Sequence, residues 1–105
     1  MSMMNEFEVK GIKLRVKEIN PFEFSAFKMV YVKSLNDNDI ASLSKAYSIL
    51  CSWIEMEMNG TWVTAWNKVE SRFINPLLNT TKLGDEVINK ALETRILPLF
   101  QNSEE

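Results

Sequence analysis

A chain of 105 residues, 46% hydrophobic and 25% charged, has room for one domain around one core and lacks the balance of a disordered or purely coiled-coil segment. A formal net charge of −2 supplies no global basic field for nucleic acid, and no apolar run approaches the length of a membrane span. Histidine is absent, which removes the commonest general base, the usual serine or cysteine triad and the commonest zinc ligand together.

The opening ten residues carry no basic segment followed by an apolar one, so no signal peptide is expected. The single cysteine, Cys51, cannot form an internal disulfide and fits a reducing cytoplasm.

Asn5–Lys10 and Ile12–Lys17 read as two strands, a hairpin over 5–18, turning at Lys10-Gly11. A two-residue loop there sets Val9 opposite Ile12, Glu8 opposite Lys13, Phe7 opposite Leu14 and Glu6 opposite Arg15. Apolar meets apolar and acid meets base at every step, which a one-residue slip would destroy. Gly11 supplies the positive φ of the turn. The basic row Lys13, Arg15 and Lys17 is a candidate phosphate-binding face. Its partner strand carries Glu6 and Glu8, which favours a solvated, cross-paired outer face.

Asn20-Pro21 starts a helix over about 21–34. Asn20 is the cap, Pro21 occupies the first helical position, and Glu23 stands at the third, near the positive end of the dipole. Phe24, Phe27, Tyr31 and Leu35 form one seam; Phe22, Ala26 and Met29 form a second patch on roughly the opposite side, and Val30 and Val32 fill in between. A surface helix normally has one apolar stripe. Two expectations follow: the domain buries this helix on both sides, or the second patch meets another chain.

Asn36-Asp37-Asn38-Asp39 is a turn rich in cap residues. The next helix, about 39–53, carries Ile40, Leu43, Tyr47 and Leu50 on its apolar face, with Ala46 and Trp53 alongside. Ser42, Lys45 and Ser48 face away. Cys51 lies at the edge of the apolar face as a packed thiol, since no base stands near to activate it.

Residues 54–66 alternate about Asn59-Gly60 and read as a hairpin with a type I′ turn. The competing reading ends a helix at Gly60 and caps a new one at Thr61. In the hairpin, Trp62 shares a face with Glu55 and Glu57. It is a candidate anchor for a partner, a covered core tryptophan being the plainer case. Glu55 and Glu57 resemble an acid–base or metal pair but lack a third ligand nearby.

Residues 67–80, broken by Pro76, read as an irregular connector with one turn of helix. The last helix, about 82–97, has an apolar face of Val87, Ile88, Ala91, Leu92 and Ile96 and an i,i+4 pair, Glu86 with Lys90. Pro98 is expected to end it, leaving Leu99 and Phe100 before a polar tail. No glycine-rich phosphate loop, metal cluster or cofactor motif is present. The expected fold is α+β: one domain over 1–105, in the order ββ-α-α-ββ-α, two antiparallel hairpins packed with three helices.

Four stretches, VKGIKLRVKEI, INPFEFSAFK, WIEMEMNGTW and ALETRILPLFQNSEE, resemble the tail assembly chaperones of long-tailed bacteriophages of Gram-positive hosts. The resemblance spans nearly the whole chain except the connector, and none of its motifs is catalytic. It implies a non-enzymatic protein of the host cytoplasm, absent from the mature virion, which binds the long helical tape-measure protein, keeps it soluble and helps recruit tail-tube subunits. It implies self-association, and contact with the tube protein through a frameshifted longer form. The partner-binding candidates are Phe22, Ala26, Met29, Trp62 and Phe100. The competing function is a small nucleic-acid-binding regulator using the Lys13, Arg15 and Lys17 face.

Overall fold

The computed structural model describes residues 6–102; the expected strand start at Asn5 and the end of the polar tail lie outside them. β1 (Glu6–Val9) and β2 (Ile12–Val16) pair in the register that side-chain matching dictates, Glu6 against Arg15 through Val9 against Ile12. Lys10 and Gly11 hold the turn at φ 54° and 80°. The chain then forms two helices, α1 (Pro21–Asp37) and α2 (Ile40–Cys51), before returning as β3 (Ile54–Met58) and β4 (Thr61–Thr64). β3 docks beside β2, so the four strands make one antiparallel sheet in the order β1-β2-β3-β4.

The period of two decides which face is buried. One row across the sheet is Phe7, Leu14, Met56 and Val63, facing the core; the next is Glu6, Arg15, Glu55 and Thr64, facing out. The helices complete the core. Phe27, fully buried on α1, lies 5.3 Å from Tyr31, 5.4 Å from Trp53 and 6.4 Å from Phe24, measured between ring centroids.

The caps follow the sequence. The Asn20 side chain accepts the Phe22 N–H at 2.7 Å, and Asp39 accepts the Ser42 N–H at 3.2 Å and its hydroxyl at 2.8 Å. α1 runs past Ser34 to Asp37 and closes at Asn38, whose φ of 53° is the left-handed stop that asparagine tolerates. The inner seam also differs from the expected one. Ser34 is buried, with its hydroxyl donating to the Tyr31 carbonyl at 2.6 Å, while Leu35 is 58% exposed. Ile40 is 80% exposed instead of packed: it is the first residue of α2, directly after the Asp39 cap at the α1–α2 turn. Burial of α1 on both sides is overturned as well: its second patch is open.

Residues 54–64 form the hairpin, with Asn59 and Gly60 at φ 53° and 80°, and the helical alternative is excluded. The hairpin stops at Thr64, short of the expected 66. Beyond it the connector holds order that its weak periodicity concealed. β5 (Trp66–Asn67) pairs with β6 (Arg72–Phe73), Trp66 and Phe73 meet edge to face at 5.0 Å, and Pro76–Asn79 makes one turn of 3₁₀ helix.

α3 (Thr81–Ala91) starts at the Thr80 cap. The expected stop at Pro98 is wrong. A π turn over Leu92–Ile96, in which the Leu97 N–H reaches the Leu92 carbonyl, widens the helix just ahead of the proline, and α4 (Leu97–Asn102) continues through it. The missing N–H and the crowded ring of Pro98 are accommodated where the regular bonding has already shifted. Among the described residues no helix is long and apolar enough to cross a membrane.

Candidate protein-binding surface

Because Phe24, Phe27, Tyr31 and Ser34 turn toward the core, residues half a turn away on α1 must face solvent. Phe22, Ala26 and Met29, at i, i+4 and i+7, occupy that side; Phe22 is 84% exposed and Met29 74%. The stripe continues through Val32, also exposed. Met29 and Val32 line an open groove of about 590 Å³ with Lys28, Lys33, Asn36 and Asp37 on its rim. Ala26 also borders a second cleft, about 400 Å³, between α1, the end of α2 and the β5–β6 ribbon, where Glu23, Trp66 and Lys68 are among the lining residues. Charge near the stripe is mixed and locally paired. Lys33 Nζ lies 3.2 Å from Asp37 and 3.9 Å from Asp39. Hydrogen bonds from the Ser42 hydroxyl and backbone hold Asp39 below the usual carboxylate range; burial opposes them, and the Lys33 charge adds a lesser lowering effect.

Two further candidates stand elsewhere. Trp62 is half-buried on the outer sheet face, where it is neither a core residue nor bare: the Arg15 guanidinium covers its ring at 4.4 Å. Arg15 Nε also donates to Glu55 at 2.8 Å, so one side chain ties three strands. Phe100 packs on α1, 5.5 Å from Phe24 and 6.0 Å from Tyr31, and closes the edge of the core. The structure therefore brings Phe22, Ala26 and Met29 together and sets Trp62 and Phe100 apart from them.

Sequence reasoning missed Leu35 and Ile40 as exposed apolar residues near this surface, since helical spacing placed both on inner faces. Val32 was assigned to the space between the patches. The only available signal was the Asn36–Asp39 turn, whose polar run marks a corner held in water.

The basic row is interleaved with acids. Lys13 stands opposite Glu8, Arg15 stands between Glu6 and Glu55, and Glu57 stands opposite Trp62. Glu55 is thus engaged by an arginine, and among the described residues no cluster of three potential ligands converges on a metal position. Cys51 is 2% exposed, and burial pushes its thiol up to about 12, which leaves it protonated and unreactive at neutral pH. Comparison with protein-family models, curated proteins and solved structures finds no match.

Proposed function

We propose that this protein is a non-enzymatic binding protein which holds an apolar, helical partner against the outer face of α1. The observation that carries the reading is the exposure of Phe22 and Met29 on one side of a helix whose other side already fills the core. Isolated apolar side chains on a surface need no explanation, but an aligned stripe of them is a recognition feature. The helix-in-groove mode uses this spacing, and exposed methionine suits a partner with varied side chains.

Taken with the resemblance to phage tail assembly chaperones, the partner is the tape-measure protein, kept soluble during tail assembly while tube subunits are recruited. The nucleic-acid alternative is disfavoured by the carboxylates set among Lys13, Arg15 and Lys17 and by the engagement of Arg15 with Glu55 and Trp62. Co-expression with a tape-measure protein from the same genome tests the proposal. The expected result is a soluble complex that survives gel filtration in high salt. A tape-measure protein equally soluble without this chain, and no complex, would refute it.

A further inference from the structure

The two edges of the four-stranded sheet are treated differently. β1 lies at one edge with α3 packed along it, and Lys90 Nζ donates to the Glu8 carbonyl at 2.8 Å, occupying an outward acceptor. Covering an edge with a helix and a lysine is a standard guard against unwanted strand pairing. β4 lies at the other edge, and among the described residues it pairs in the sheet only with β3. Its sequence, Thr61-Trp62-Val63-Thr64, contains no charge and no proline.

Backbone parity shows what this edge offers. Thr61 and Met58 flank the two-residue turn, and the Ala65 N–H donates to the Ile54 carbonyl at 3.0 Å, so Thr61, Val63 and Ala65 direct their N–H groups toward β3. Trp62 and Thr64 alternate with them and present an N–H and a C=O each to the outside. The same parity on β1 turns the Glu8 carbonyl outward, where Lys90 takes it.

We infer that the outer edge of β4 is a pairing edge for a second copy of this chain, joined antiparallel about a two-fold axis through Val63. An extended strand is the occupant that such a row of groups recognises, and this strand is complementary to itself. With the axis at Val63, Trp62 faces the partner's Thr64, and their outward N–H and C=O groups are exchanged; the two-fold repeats the set. Val63 meets the partner's Val63 as a pair without mutual hydrogen bonds, the kind in which side chains approach most closely. Tryptophan against threonine and valine against valine are favourable cross-strand pairs, and no like charges are brought together. The axis is perpendicular to the sheet, so both inner faces stay on one side and the two cores share one continuous sheet. The contact is small, which makes it a weak, reversible association.

Val63→Cys tests the register directly, because the two thiols would lie within disulfide reach while those of Thr61→Cys would not. The expected results are an oxidised covalent dimer from Val63→Cys and none from Thr61→Cys, together with slowed amide exchange at Trp62 and Thr64 as the protein is concentrated from micromolar to millimolar. Thr64→Pro removes one outward donor at a position whose N–H is not used by β3, and should abolish that concentration dependence. Equal cross-linking of both cysteine variants would overturn the inference. So would concentration-independent exchange at Trp62 and Thr64, or protection of these amides only when a different protein is added. No residue of the α1 stripe takes part, so Met29→Glu should leave this pairing unchanged, and failure of the co-expression test would not bear on it.

Discussion

Gly60 and Cys51 show how single residues set measurable limits on this fold. Gly60 holds φ at 80°, and a Cβ at this position would have nothing within 4 Å, so the resistance to a β-branched residue comes from the backbone conformation. Gly60→Val should lower stability by roughly 1–3 kcal/mol, measurable as a drop in melting temperature with the fold retained. Cys51 acts through pH. Its thiol is held neutral in the folded state up to about 12, whereas in the unfolded chain it ionises near the ordinary thiol value of 9.0. The folded state then binds more protons than the unfolded one above pH 9, so its contribution is complete below that pH and is lost as pH rises toward 12. Within that window stability should fall by about 1.4 kcal/mol per pH unit from this group. Tyr47, raised by burial and then by Tyr31 and Asp85, adds to the fall at the upper end. Denaturant titration of Cys51→Ala at pH 8 and pH 10.5 should show a shallower decline than the parent.

At the scale of elements, the strands were legible because their side chains carry redundant information. Acid against base and apolar against apolar in a period of two fix the register of the first hairpin, and Asn-Gly fixes the turn of the second. Helix starts were legible from Asn20-Pro21 and, without the individual cap, from the Asn36–Asp39 turn, because a cap is a local bond between neighbours in sequence. What escaped depends on distant contacts. Ser34 is buried where the backbone turns sharply, its carbonyl accepting the Asp39 N–H at 3.1 Å, and a wheel that sorts only apolar residues assigns that place to Leu35. The β5–β6 ribbon is two residues on each side, too short for a period, and the π turn before Pro98 has no signature in composition. On the outer sheet face, Arg15 joins β2 to β3 through Glu55 and to β4 through Trp62. Arg15→Ala should cost about 1 kcal/mol, since the site is partly exposed and solvent screens the ion pair. The Trp62 indole resonance should shift as its cover is lost, whereas an unmoved indole would mean that the contact is not held in solution.

For the whole molecule, the decisive property is that one helix carries two apolar sides and the domain uses only one. Phe27 and its ring neighbours belong to the core, and their loss should unfold the protein; Phe22 and Met29 lie 84% and 74% exposed, and their loss should not. That separation lets folding and binding be tested independently. Phe22→Ala and Met29→Ala should each change stability by no more than about 0.5 kcal/mol, as expected for surface positions free of caps or buried bonds. If these side chains anchor a helical partner, each truncation should weaken its binding by on the order of 2 kcal/mol, about a thirtyfold rise in Kd. Ala26→Glu, on the same face, should disrupt docking by placing an unpaired charge against an apolar helix. Because the contact is apolar, affinity should hold between low and high salt, whereas binding through Lys13, Arg15 and Lys17 to phosphates would fall steeply over the same range. Calorimetric titration of the three variants at two salt concentrations separates these outcomes. Unchanged affinity in all three would remove α1 from the interface, and a strong salt dependence would move the binding surface to the sheet.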